Sequence, residues 1–300
     1  MVCSLLDMFN IRFLLVCLIL SANALSFAAA HSDSTGKSLS GFDTLEALYK
    51  GNERFKGVGS RKREAVSRLV EESTPSFMFL GCTDNRLTPA SIFQSPIGSI
   101  ISQNNIGNQY SKTDVSTDAA ITYAIQELGV QHIIVLGHYG CPGVSKAITA
   151  PREDNPVMKW ISPIVRLYKT TRRREIVKFR DSRMPHRGLP DGNKSAPSAD
   201  EAGFRSLVEE NVKRTVKALK EESILAKEYQ RGAKTTPKES VEVYVHGFVF
   251  DEATGNVVNL NVSFGPPGFP IPSVPFGAVA AAKNFHREKH FPGFNKGKNL

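Results

Sequence analysis

Short apolar runs alternate with longer segments of helical spacing along this chain, and this alternation limits the possible fold more than any other feature. Residues 77–80 and 132–136 are largely apolar and too short for helices, so we expect buried strands there, and residues 99–102 (SIIS) are predicted to form a further strand between them. Before the third strand, apolar residues recur at helical spacing from Thr117, the expected N-cap, to Leu128. Strands that alternate with helices are typical of a mainly parallel sheet with helices on both faces.

The second half of the chain continues the pattern. Helices are predicted over residues 156–183 and 200–230, and strands over 241–250 and 257–262, with Gly255 turning the chain between these strands. We therefore expect an α/β fold with a mainly parallel central sheet of four strands plus an antiparallel edge strand. Helices flank this sheet, and a helical arm precedes it.

Four segments are predicted along the chain. Residues 1–30 are interpreted as a signal peptide, because Arg12 precedes an apolar run that is too short to span a bilayer. An N-terminal membrane anchor is the alternative. Residues 31–74 are a polar lead and the helical arm, 75–264 the catalytic α/β domain, and 265–300 a basic tail rich in proline and glycine.

Cleavage of the leader would make the protein secreted, with no stable membrane insertion afterwards. Asn193 and Asn261 each begin a glycosylation sequon, which suits that location. Lysine and arginine outnumber aspartate and glutamate by 38 to 29, so the formal net charge is +9. We do not expect nucleic acid as a partner, because neither interleaved aromatic residues nor a recognition module accompanies the basic residues. Attachment to a polyanion or a cell wall stays open.

Once residues 1–30 are removed, Cys82 and Cys141 are the only cysteines left. Two cysteines in a secreted protein ordinarily predict a disulfide. A metal site is the other interpretation, since Cys82 follows the first predicted strand while His138 and Cys141 follow the third, and such strand ends are where α/β folds build their sites. Two thiolates and an imidazole suit zinc, and three protein ligands leave a fourth position for water, as in catalytic sites.

Two charged residues near Cys82 favour the metal interpretation. Two thiolates cancel the charge of Zn²⁺, so its water is acidified less strongly than in an all-histidine site. Asp84 can accept a hydrogen bond from that water, and Arg86 can pair with Asp84 and keep its carboxylate off the metal. On an extended segment Cys82, Asp84 and Arg86 lie on one face.

Over about residues 42–264 the chain resembles the β-class carbonic anhydrases. The resemblance rests on both ligand-bearing segments and on segments before, between and after them: GNERF (51–55), CTDNR (82–86), NIGN (105–108), YA (123–124), LGV (128–130), GHYGC (137–141), VHG (245–247) and TG (254–255).

This resemblance implies a zinc-dependent carbonate dehydratase that reversibly hydrates carbon dioxide to bicarbonate and a proton, by attack of zinc-bound hydroxide. It also implies a homodimer or a higher homo-oligomer. The implied roles are Zn²⁺ ligation by Cys82, His138 and Cys141, gating and orientation by Asp84 and Arg86, and a substrate hydrogen bond from Gln94.

Two other functions stay open from the sequence. A zinc-stabilised secreted binding or structural protein would keep the fold and the ligands without turnover. The presence of both Asp84 and Arg86 favours the enzyme, because a purely structural site does not need them. A CS₂ or COS hydrolase would use the same fold and the same ligands.

Overall fold

The computed structural model describes residues 44–57, 74–84, 86–149, 153–185, 187–188, 192–232 and 241–279. The predicted signal peptide, the start of the lead and the end of the tail lie outside these residues. Within the described ranges, no helix combines the length and the apolar character needed to cross a bilayer.

The chain separates into an N-terminal unit, residues 1–63, and a second unit, residues 64–300. Helix α1 (Leu45–Gly57) belongs to the first unit and forms where the helical arm was expected. The elements of the second unit are β1 (Phe77–Cys82), α2 (Pro89–Ile92), β2 (Ile100–Asn105), α3 (Val115–Gln126), β3 (His132–His138), α4 (Pro142–Thr149), α5 (Pro156–Trp160), α6 (Ser162–Thr170), α7 (Arg174–Ser182), α8 (Ala202–Glu222), α9 (Ile224–Gly232), β4 (Tyr244–Asp251) and β5 (Asn256–Asn259).

Five strands form a single sheet in the order β2-β1-β3-β4-β5. The first four are parallel, and β5 pairs antiparallel with β4 at the edge. This confirms the predicted fold class. The strand order reverses between β1 and β3, so the carboxyl ends of these two strands flank the crevice in which open α/β sheets bind their ligands.

Helix α8 packs on one face of the sheet. Its Val208, Val212 and Val216 join a buried core that includes Ile133 and Val249 from β3 and β4. The helix approaches closely because β3 carries a glycine, Gly137, opposite it: a Cβ at that position would stand 2.5 Å from Cγ2 of Val212. The packing of α8 therefore positions the carboxyl end of β3.

The opposite face of the sheet carries a smaller aromatic core. Phe79, Phe248 and Phe250 are buried there. Part of the expected tail covers them, since the ring of Phe276 lies 5.3 Å from that of Phe248 and 6.0 Å from that of Phe93. The described part of the expected tail, residues 265–279, thus packs on the domain through Phe276.

The single helix expected over residues 156–183 is wrong, because the chain forms α5, α6 and α7 there. Pro163 separates the first two helices, since its ring lacks an N–H and crowds the carbonyl four residues earlier. Thr171 and Arg173 are extended between α6 and α7. Arg173 turns inward there, and its guanidinium lies 2.6 Å from the carboxylate of Glu209 on α8.

Two smaller helix predictions also need correction. The helix expected over residues 200–230 is broken at Ser223, which is extended and bonds through Oγ to the carbonyl of Leu219. Helix α3 has Asp114 as its N-cap rather than Thr117. The Thr117 hydroxyl lies inside the helix and donates a hydrogen bond to the Asp114 carboxylate.

Candidate metal centre

Adjacent strand ends and one tight turn bring three ligand-type side chains together. Strand β1 ends at Cys82 and its neighbour β3 ends at His138. Gly140, at φ +77°, turns the chain so that Cys141 directly precedes α4. One donor atom from each of Cys82, His138 and Cys141 lies within 4.8 Å of the others, and all three side chains are buried.

The two sulfurs are spaced for sharing a metal and not for bonding to each other. Sγ of Cys82 lies 3.6 Å from Sγ of Cys141, and both cysteines are free. A disulfide would need about 2.05 Å, so the disulfide alternative is wrong for this structure. Two Zn–S bonds of about 2.3 Å at a tetrahedral angle place their sulfurs about 3.8 Å apart. The observed spacing fits that geometry.

His138 is oriented as a metal ligand. Its Nδ1 lies 3.0 Å from Oε1 of Glu252, which directly follows β4. Its Nε2 is buried and has no hydrogen-bond partner among the described residues. Buried polar atoms are rarely left without a partner. Since Nδ1 is already bonded, Nε2 is the ring nitrogen left to bind a metal, and the three donors together fit Zn²⁺.

Electrostatics favour a thiolate at Cys82. A hydrogen bond from the Cys141 thiol outweighs the opposing effect of burial and, with the neighbouring His138 ring and a hydrogen bond from the Gly107 amide, lowers the Cys82 pKa to about 4. The same hydrogen bond and burial raise the pKa of Cys141. A bound cation would take the place of the proton that the two sulfurs share.

Burial alone would lower the pKa of His138, but the neighbouring Cys82 thiolate and Glu252 carboxylate raise it. In the metal-free site, therefore, the imidazole is held beside two anionic groups. A divalent cation held by the Cys82 and Cys141 thiolates would instead take the neutral imidazole of His138 as a ligand.

The other predicted site residues lie close to Cys82 in sequence but are not buried. Asp84 and Arg86 are exposed just beyond β1, and no ion pair joins them among the described residues. The Asp84 backbone amide helps to lower the pKa of Cys82, whereas the Asp84 carboxylate lies outside the cluster of ligand atoms. Gln94 is exposed at φ +47°, and its Nε2 donates to the carbonyl of Ser91 at 2.7 Å.

A partly buried polar network next to the ligands was missed by the sequence analysis. Tyr139, which follows His138, donates its hydroxyl to Oε1 of Glu209 at 2.9 Å. Glu209 in turn pairs with Arg173. Arg205 lies over the Tyr139 ring, 3.5 Å from its centroid, and pairs with Asp251 at 2.8 Å. This network ties the ligand loop to α8 and to the end of β4.

Glu252 was missed as well, although one signal pointed to it. It lies 114 residues from His138 in sequence, so no local motif connects the two. It does follow a predicted strand, as Cys82 and His138 do. Because parallel strands end at the same edge of a sheet, the residues after 241–250 were candidates on that ground.

Comparison with known proteins gives one consistent result. The family described as "Carbonic anhydrase" matches residues 77–257. A carbonic anhydrase of Emericella nidulans is 27% identical over 224 residues, which cover 74% of this chain and 85% of that protein.

Solved structures share the fold. A Coccomyxa β-carbonic anhydrase in complex with acetazolamide has a TM-score of 0.58 at 24% identity, and the match covers 73% of this chain and 86% of that one. A tetrameric β-carbonic anhydrase of Sordaria macrospora also has a TM-score of 0.58, at 22% identity, and the match covers 74% of this chain and 99% of that one.

Proposed function

The protein belongs to the β-carbonic anhydrase family of zinc enzymes, whose family match spans more than half of the chain, and from this premise we propose that it catalyses the reversible hydration of carbon dioxide to bicarbonate and a proton. The observation that carries the proposal is the buried cluster of Cys82, His138 and Cys141. Its donor set and sulfur spacing fit zinc, and three ligands leave one position open.

These three residues would hold the ion. When bound, zinc would act as a Lewis acid and lower the pKa of a water molecule that coordinates it. The two cysteines, as thiolates, offset the charge of the ion. The ligand cluster lies where the ends of β1 and β3 meet, the usual location of a binding crevice in this type of sheet.

Asp84 and Arg86 have the roles of orienting and gating residues in this proposal. Asp84 accepts a hydrogen bond from the reacting water, and Arg86 pairs with Asp84 and prevents its carboxylate from taking the open position. Support comes from their spacing after Cys82 and from their exposure, since neither side chain is held in place by buried packing. Gln94 reaches the substrate only if it releases the carbonyl of Ser91.

Stopped-flow measurement of CO₂ hydration, together with zinc determination on the same preparation, tests the proposal. We expect turnover by the wild-type protein, and loss of both zinc and turnover in Cys141→Ser. Glu221→Ala, a change at a half-exposed residue whose ion-pair partner is Lys217, is the control and should keep both. Zinc at one equivalent without CO₂ hydration would instead support a zinc-stabilised binding or structural protein. Hydrolysis of CS₂ or COS without CO₂ hydration would support a CS₂ or COS hydrolase.

We also propose that the enzyme is a homo-oligomer and that it is secreted. The tetrameric relative of similar fold supports the first point, and light scattering should give at least twice the monomer mass. The Arg12-led apolar segment supports the second. N-terminal sequencing of protein from the culture medium of a eukaryotic host should find that the apolar segment has been removed, with a start no later than residue 31.

A further inference from the structure

The ligand His138 has a carboxylate partner that belongs to no motif of this sequence. Oε1 of Glu252 lies 3.0 Å from Nδ1 of His138. The imidazole is buried, whereas the Glu252 side chain is about half exposed. The hydrogen bond therefore runs from a buried ring to the surface, on the side of the ring away from Nε2.

The fold fixes the position of Glu252 in two ways. Strand pairing brings His138 opposite Phe250, and the amide of Tyr139 donates to the carbonyl of Phe250 at 3.0 Å. Glu252 follows two residues later, where β4 has just passed the end of β3. The backbone at this point is held by the turn that leads to β5, in which the amide of Gly255 donates to the carbonyl of Asp251 at 2.8 Å.

A second contact holds the same turn from the side. The carboxylate of Asp251 pairs with Arg205 of α8 at 2.8 Å and accepts a hydrogen bond from the Ala253 amide at 3.1 Å. Glu252 thus lies between two residues that are held by hydrogen bonds, so the backbone that carries its carboxylate is anchored on both sides.

We propose that Glu252 is a positioning residue for the metal centre: by accepting a hydrogen bond from Nδ1–H of His138, it selects the tautomer whose Nε2 lone pair faces the two cysteine sulfurs. The inference rests on the proposed zinc site and adds to it a residue outside the three ligands. This tautomer explains why the buried Nε2 of His138 has no hydrogen-bond partner among the described residues. A carboxylate on the far side of a ligating imidazole fixes the ring and increases its basicity, and loss of such a partner typically costs about 10–100-fold in metal affinity.

Zinc affinity, measured by competition with a chromogenic chelator on folded, metal-stripped protein, tests this role without depending on turnover. Glu252→Ala should weaken zinc binding by about 10–100-fold. Glu252→Gln keeps an oxygen that can accept the Nδ1 hydrogen bond, so it should recover most of that loss. Glu221→Ala is the control, because it removes a carboxylate that is exposed to a degree similar to that of Glu252. This variant should bind zinc as the wild type does.

The outcomes separate this inference from the proposed function. If the wild type binds zinc and Glu252→Ala binds it equally tightly, Glu252 has no positioning role while the zinc site stands. Equal losses in the alanine and glutamine variants would assign the effect to charge and overturn the tautomer argument. If the wild type itself fails to bind zinc, the proposed function fails. Circular dichroism of each metal-stripped variant shows that a weak binder is folded.

Discussion

Gly137 immediately precedes the ligand His138, and its replacement by alanine probes how the fold holds the metal centre. The added Cβ would stand 2.5 Å from Cγ2 of Val212 and 3.5 Å from Cγ1 of Val208, both on α8. Ordinary contact begins near 3.4 Å, so the strand and the helix must separate by about 1 Å. Overpacking of this kind costs about 1–3 kcal/mol.

Urea unfolding of zinc-loaded protein is the appropriate assay, because a shift of the midpoint at constant slope reports stability directly. Gly277→Ala is the matched control, since a Cβ there meets nothing within 4 Å, and it should change the free energy of unfolding by less than about 0.5 kcal/mol. If Gly137→Ala were as stable as Gly277→Ala, α8 would not approach β3 as the structure describes, and this account of how β3 is positioned would be refuted.

Three further predictions concern the site and its surroundings. Arg86→Ala should retain zinc and lose most CO₂ hydration, because the proposed pairing that keeps the Asp84 carboxylate off the metal would be lost; full activity would refute the proposed gating role of Arg86. Burial, with a smaller contribution from the charge of His132, lowers the pKa of His246 from 6.5 to about 4, so the unfolded chain takes up the proton first as the pH falls. Stability should therefore drop between pH 6.5 and 4, by about 2 kcal/mol from pH 7 to pH 5, and His246→Gln should show a smaller drop in urea unfolding at the two pH values. Gly143→Ala places a Cβ 2.7 Å from Cγ2 of Ile106 and 3.8 Å from Sγ of Cys141, so chelator competition should show weaker zinc binding, and unchanged affinity would mean that the ligand turn tolerates the added methyl.

The parts of the fold that depend on local pattern were predictable from sequence. Strands β1 and β3 carry continuous apolar runs that only a buried strand accommodates at that length. Because both end at the same edge of the sheet, Cys82, His138 and Cys141 were expected to meet, and the structure brings them together.

Features that depend on distant partners were not predictable in the same way. The helix periodicity of residues 156–183 is genuine, but the ion pair between Arg173 and Glu209 stabilises a break in it. Glu252 meets His138 only through the register of β3 and β4. An isolated sequence states neither the register of two strands nor the partner of a buried charge, so both appear only in the folded chain.

The arrangement of Asp84 and Arg86 was predictable from the sequence only in part. Their alternation with Cys82 correctly places them beyond β1, but they lie in an exposed segment where packing does not select one side-chain conformation. Their pairing is therefore a property that the sequence suggests and that activity measurements on Arg86→Ala must test.

X-ray absorption at the zinc K-edge tests the central claim most directly, because it reports which atoms hold the metal. The account predicts one zinc per subunit with two sulfurs at about 2.3 Å and one nitrogen at about 2.0–2.1 Å, the remaining position being taken by a light atom. Protein that contains no zinc, or zinc without sulfur in its first coordination sphere, would contradict it.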